Sequence, residues 1–145
     1  MGITIKCKKT GSGCDLGYMG FSRFRIRVAY LLNEEFGTHY EKLYSSEMMC
    51  AGGKERERLL VEYDKETECL IKQHKLSRRI VNFLYESDCD GKCSPSACKA
   101  IYEVIKDYDD EICYGYPGRP DCARFSTLKA LFLECAEMKS YLEWS

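Results

Sequence analysis

Apolar residues return every three or four positions along most of this chain, in separate stretches punctuated by glycine, proline and serine. That spacing marks helices with one buried face. Phe24, Val28, Leu31 and Leu32 form the first stripe, in a helix that Ser22 can cap and Gly37 ends. Thr38 opens a short helix through Tyr40, Leu43 and Tyr44. Leu59, Leu60, Tyr63, Thr67, Leu70 and Ile71 mark a longer one over about 55–74, and Leu76, Ile80, Val81 and Leu84 another over 77–85. Ser94 followed by Pro95 is a helix start, with Ala97, Ile101, Val104, Ile105 and Tyr108 turned inward. A last helix over about 121–139 buries Phe125, Leu128, Leu131, Phe132, Cys135 and Met138.

The two ends follow a different period. Ile3, Ile5 and Cys7 alternate with polar residues, which predicts a strand, and residues 141–144 can supply its partner. Residues 10–20 contain Gly11, Gly13, Gly17 and Gly20 and read as a loop, as do 48–54 and the rigid Tyr114–Pro120 stretch. The expected architecture is therefore mainly α (α+β). It is one domain over residues 1–145, with five to six helices and a small two-stranded antiparallel sheet made by the N- and C-termini. A chain of 145 residues buries about two-thirds of its unfolded surface, so it needs no covalent staple.

Charge and composition exclude several functions. Lys+Arg and Asp+Glu number 22 and 23, a net charge of -1, so a broad basic face for nucleic acid is not expected. Only a local basic patch at Arg23, Arg25 and Arg27 stands out. No apolar run approaches the ~20 residues of a membrane span, and the first residues lack the apolar core of a signal peptide. The expected location is the cytoplasm. The ten cysteines (at 7, 14, 50, 69, 89, 93, 98, 113, 122 and 135) are read mostly as reduced thiols acting as small apolar residues. No Cys-x-x-Cys pair occurs, which weakens a zinc site.

Two segments carry candidate chemistry. Glu86-Ser87-Asp88-Cys89-Asp90-Gly91 resembles the start of a calcium-binding loop. With Gly91 sixth, Glu86, Asp88 and Asp90 fall first, third and fifth, but the twelfth position is Ala97 where a bidentate carboxylate is required. The local alternative is that Asp88 and Asp90 build a turn before the next helix. The other segment, Gly17 to Arg25, runs from a glycine-rich loop into a helix. Helix N-termini and arginines suit phosphate, and Tyr18 and Phe21 can stack on a base. Its glycine spacing is neither a P-loop nor a dinucleotide fingerprint. The plainer alternative makes Phe21 and Phe24 core residues and pairs the arginines with surface carboxylates. His39 and His74 adjoin no nucleophile motif, and no hydrolase, zinc-protease or kinase pattern is present.

The order Gly17-Tyr18-x-Gly20-Phe21-x-Arg23-Phe24-Arg25, then Ser87-Asp88-Cys89-Asp90-Gly91, then Ser94-Pro95-x-x-Cys98 resembles small uncharacterised proteins of phages and prophages of Gram-positive bacteria and actinobacteria. The chain departs from that pattern at Glu86, where histidine is expected, and at Lys92, where an acidic residue is expected. The resemblance implies a phage or mobile-element accessory protein in a bacterial host cytoplasm, of a kind that often inhibits host defence. The expected function is non-enzymatic binding of a nucleotide-like signal or a host protein. Tyr18, Phe21, Arg23 and Arg25 would face Ser87, Asp88 and Asp90 across one cleft. The arginines would hold phosphate, and the carboxylates ribose hydroxyls or an arginine. No cofactor is expected. The alternatives are a phosphodiester hydrolase with a metal at Asp88 and Asp90, and a structural module stabilised by calcium or zinc. A homodimer stays open.

Overall fold

Ile3, Ile5 and Cys7 of strand β1 (Gly2–Cys7) are buried, and their alternation with exposed Thr4 and Lys6 sets one face of a sheet against the core. The computed structural model describes residues 2–119 and 122–145. β1 pairs with β2 (Gly13–Gly17), where Ile5 faces Cys14, and with β4 (Leu142–Trp144), where Ile5 faces Trp144 and Cys7 faces Leu142. β4 in turn pairs with β3 (Gly91–Cys93), Cys93 facing Leu142. All pairs are antiparallel, in the order β2-β1-β4-β3.

The terminal pairing matches the expectation, but the sheet has four strands where two were expected. The added strands lie in segments read as loops. β2 is Gly-Cys-Asp-Leu-Gly and β3 is three residues long, so neither carries an alternation long enough to be legible. Pairing with an existing strand, and not intrinsic preference, makes them extended.

The helices are α1 (Tyr18–Leu32), α2 (Glu34–Glu41), a 3-10 turn at Lys42–Tyr44, α3 (Ser46–Cys50), α4 (Gly53–His74), α5 (Arg78–Tyr85), α6 (Pro95–Ile105) and α7 (Phe125–Glu137). Six of these have eight residues or more, and a mainly helical chain with a sheet is the observed class. Ser94 caps α6 through the Ala97 N–H, with Pro95 in the first turn, as its sequence predicts. The boundary between α1 and α2 falls elsewhere than Gly37. Asn33 is extended, and its side chain accepts the Phe36 N–H, so it ends one helix and caps the next. Gly37 lies inside α2, and it is glycine there because a Cβ would sit 2.6 Å from the Tyr30 ring. α1 likewise starts at Tyr18 and not at Ser22. Of the expected loop and helix, Pro120 and Asp121 lie outside the described residues, and α7 begins at Phe125.

One cluster of buried side chains joins the sheet to the helices. Phe24 of α1 meets Phe125 and Phe132 of α7, with ring centroids 5.5 and 5.8 Å away, while Phe83 of α5 stands edge-on to Phe132 and to Trp144 of β4. A disulfide joins Cys113 to Cys122 across the loop before α7, and the other eight cysteines are free. Among the described residues no helix is long and apolar enough to cross a membrane.

α4 is anchored to α2 by a polar contact. His39 is 1% exposed and stacks on Tyr63 with centroids 4.0 Å apart. Its Nε2 lies 2.6 Å from the Thr67 hydroxyl, which itself donates to the Tyr63 carbonyl. Thr67 must therefore accept, so Nε2 carries the proton; in the neutral ring the buried Nδ1 carries the lone pair and makes no hydrogen bond, with Glu66 Oε2 3.5 Å away. Burial holds the His39 pKa below its usual 6.5, against the pull of Glu66. The unfolded chain thus takes up a proton that the folded chain resists. The stability His39 contributes is complete above pH 6.5 and is lost as pH falls below it towards the folded pKa. Urea unfolding at pH 7.5 and 5.0 should show a lower midpoint at the acid pH, with a smaller difference in His39→Leu. Equal differences in both proteins would contradict this assignment.

Candidate functional site

Arg25 of α1 is 3% exposed, and it organises the acidic loop from beneath. α1 presents Phe21, Phe24, Arg25, Val28 and Ala29 to the core, so the helix period carries this arginine inward with the apolar residues. Its Nη1 donates to the carbonyls of Leu84 at 3.2 Å and Glu86 at 2.7 Å, and its Nη2 to that of Ser87 at 3.1 Å. These carbonyls belong to the end of α5 and the residues after it, where the helix dipole favours a cation. The guanidinium carbon also lies 4.4 Å from the Phe21 centroid, 5.4 Å from Phe83 and 5.6 Å from Trp144, inside the range of cation–π attraction. Two more donors secure the same backbone: Tyr40 Oη gives to Leu84 O at 2.8 Å and Trp144 Nε1 to Ser87 O at 2.8 Å.

Above this support the loop is held by its own hydroxyl. Ser87 Oγ accepts the N–H groups of Cys89 and Asp90. The Cys89 thiol donates to Asp88 Oδ1 at 3.3 Å, and that contact raises its pKa. Asp88, Cys89 and Asp90 are exposed. Beside them the polar face of the sheet forms a cleft of about 470 Å³, lined by Lys6, Glu86, Asp90, Lys92, Glu143 and Trp144 among others. Gly91 fits there because a Cβ would fall 2.4 Å from the Trp144 ring. Among the described residues, no three or more His, Cys, Asp or Glu side chains are grouped to hold a metal ion.

The other arginines lie on a different surface. Arg23 and Arg27, one turn apart on α1, line a cavity of about 390 Å³ with Ile26, Tyr30, Ile112 and Tyr114, and Glu41 at its border. Arg27 lies 5.0 Å over the Tyr108 ring. Arg23 is exposed and makes no hydrogen bond or ion pair with another described residue. Tyr30 donates to Glu41, which raises the tyrosine pKa.

The residues singled out in the sequence thus fall into three places. Phe21 and Arg25 are core, and Tyr18 is half-buried against it. Ser87, Asp88 and Asp90 form the loop that Arg25 supports through backbone contacts. Arg23 opens into the second cavity. The single cleft with Arg23 and Arg25 on one wall is therefore corrected: residues two apart on a helix point about 200° apart, and one arginine enters the core as the other leaves it. Arg27, Tyr30, Glu41 and Tyr114 were not singled out as ligand contacts. The four-residue spacing of Arg23 and Arg27 was the available signal.

Replacing Arg25 should test the support of the loop. Arg25→Leu leaves the Glu86 carbonyl without its donor and strips one from Leu84 and Ser87, and stability should fall by about 3–5 kcal/mol. Arg25→Lys should recover only part, because an ammonium cannot reproduce the planar fork. Trp144 is the sole tryptophan, so its fluorescence reports the same site during chemical denaturation. A leucine variant within about 1 kcal/mol of the parent would remove this role, given the cost of unpaired buried carbonyls. No protein-family model matches the chain, and no similar curated protein or solved structure was found.

Proposed function

We propose that the protein is a non-enzymatic binding protein for a nucleotide-like, phosphate-bearing small molecule, held against the outer face of α1. The observation that carries this reading is the pair Arg23 and Arg27 on one cavity, with Arg23 unengaged. Two guanidinium groups one turn apart match the oxygens of a phosphate, which they bind as forks and not as point charges. Tyr30, Ile26 and Ile112 offer a surface for a flat ring, and Glu41 an acceptor for hydroxyl or amino groups. A cavity of about 390 Å³ is in the range of small-ligand sites.

The setting we propose is the cytoplasm of a bacterial host, for a phage or mobile-element accessory protein that sequesters a nucleotide signal and so blunts host defence. The support for that setting is the motif order that ends in Ser94-Pro95-x-x-Cys98. Sequestration needs affinity and no catalytic group.

Calorimetric titration with nucleoside monophosphates, cyclic dinucleotides and ADP-ribose should find at least one ligand whose affinity falls as salt rises. Arg23→Ala and Arg27→Ala should each weaken it by roughly tenfold to a hundredfold, the worth of a charge-assisted hydrogen bond. Asp88→Ala, on a separate surface, should leave the affinity unchanged. If no member of the set binds, or the double arginine variant binds as the parent does, the reading fails and a host protein becomes the occupant to seek.

A further inference from the structure

α4 is the longest helix among the described residues, yet of its 22 residues only Tyr63, Thr67, Leu70 and Ile71 are buried. They share one side, where Tyr63 and Thr67 meet His39 of α2. Residues 53–58 are all exposed, so more than a full turn at the start of the helix has no buried side. Away from the buried side run Lys54, Glu57, Arg58, Val61, Asp64, Lys65 and Glu68, every one exposed. Their spacing by three and four places sets them in one stripe along the helix. Val61 is the one apolar member, 55% exposed, and stands at the middle.

The charges of the stripe mirror one another in place and oppose one another in sign. Arg58 stands three places before Val61 and Asp64 three after; Glu57 stands four before and Lys65 four after; Lys54 stands seven before and Glu68 seven after. The chain leaves most of these charges available. The side chains of Lys54, Glu57, Asp64 and Lys65 make no hydrogen bond or ion pair with another described residue. Arg58 pairs with Glu55 and Glu62, and Glu68 with Arg78, but all five are exposed, where such pairs contribute little and can be shared.

We propose that this outer face of α4 is the contact through which two copies of the chain associate, antiparallel about a two-fold axis at Val61. A two-fold axis makes the interface self-complementary, so each residue before the axis meets its counterpart after the axis on the other copy. Arg58 then meets the partner's Asp64, Glu57 the partner's Lys65 and Lys54 the partner's Glu68, and each pair occurs twice around one contact between the two Val61 side chains. Other registers are penalised. Sliding the partner by three residues one way sets Lys54 against Lys65, and by four the other way sets Lys54 against Lys72. A helix of 22 residues is about 33 Å long, and one face of it covers less than the roughly 800 Å² per partner of a standard interface. The dimer is therefore weak and salt-sensitive, with its register set by charge. None of the stripe residues lines the arginine cavity, so the proposal does not rest on the ligand reading.

The test is sedimentation velocity of the full chain at concentrations up to about a millimolar, the range of a weak transient contact. A non-reducing gel of the same samples sets aside species cross-linked through exposed Cys50, Cys69 or Cys89. The parent should show a monomer–dimer equilibrium at low salt, with a dissociation constant that rises as salt is added. Glu57→Lys and Lys65→Glu should each weaken the dimer by roughly tenfold, because symmetry turns two attractive pairs repulsive at once. Lysine and glutamate both suit a helix, so the circular dichroism of each variant should match the parent. An equimolar mixture of the two variants should dimerise as the parent does, since the reversed charges then meet opposite partners. A merely structural defect in either variant is not repaired by mixing. A parent that stays monomeric at low salt overturns the proposal, as does a dimer that both variants form as strongly as the parent, or a mixture that fails to restore it.

Discussion

A guanidinium buried without a carboxylate is an expensive thing to fold around, and the arrangement of this protein answers to it. Arg25 is 3% exposed and its hydrogen-bond acceptors are three backbone carbonyls. Desolvating a cation costs several kcal/mol or more unless dipoles replace the lost water. The carbonyls of Leu84, Glu86 and Ser87 converge on one side chain only if α5 ends where it does and the next residues turn back. Phe21, Phe83 and Trp144 turn their rings towards the same charge, which draws α1, α5 and β4 to one point. The Glu86 to Gly91 backbone is therefore specified from inside the core.

This arrangement separates two roles that the sequence runs together. The loop's backbone is committed to Arg25, Trp144 and the Ser87 hydroxyl, while the side chains of Asp88 and Asp90 stay on the surface. On α1 the division follows the helix period. Arg25 shares the inner face with Phe21 and Val28, and Arg23 and Arg27 share the outer one. A ligand held as proposed on the outer face would meet a helix whose other side is fixed by aromatic packing, with its arginines presented from a rigid element.

Most helices were legible because their apolar stripes are long, and Ser94-Pro95 marked a start without ambiguity, whereas the short α3 (Ser46–Cys50) runs into the stretch 48–54 that reads as a loop. The strand at Gly2–Cys7 and its partner near the C-terminus were legible from alternation. β2 and β3 were not, because their strand character comes from partners distant in sequence. Gly37 misled because glycine both ends helices and admits a close neighbour, and here Tyr30 uses the second property. Arg25 misled for a related reason. Arginine is mostly a surface residue, and the carbonyls that satisfy this one come from about sixty residues further along the chain. Phe21 and Phe24 followed the core alternative, and the arginines divided between two faces.

The cysteines follow the same logic of place over composition. Ten in one chain suggest a disulfide framework, yet their burial sorts them into distinct groups. Cys113 and Cys122 close a short loop and are bonded. Cys50, Cys69 and Cys89 are exposed, and Cys14 is half-buried. Cys7, Cys93, Cys98 and Cys135 fill the seam between sheet and helices, where a small apolar side chain packs without strain. Packing alone would accept alanine or serine-sized residues at all four positions.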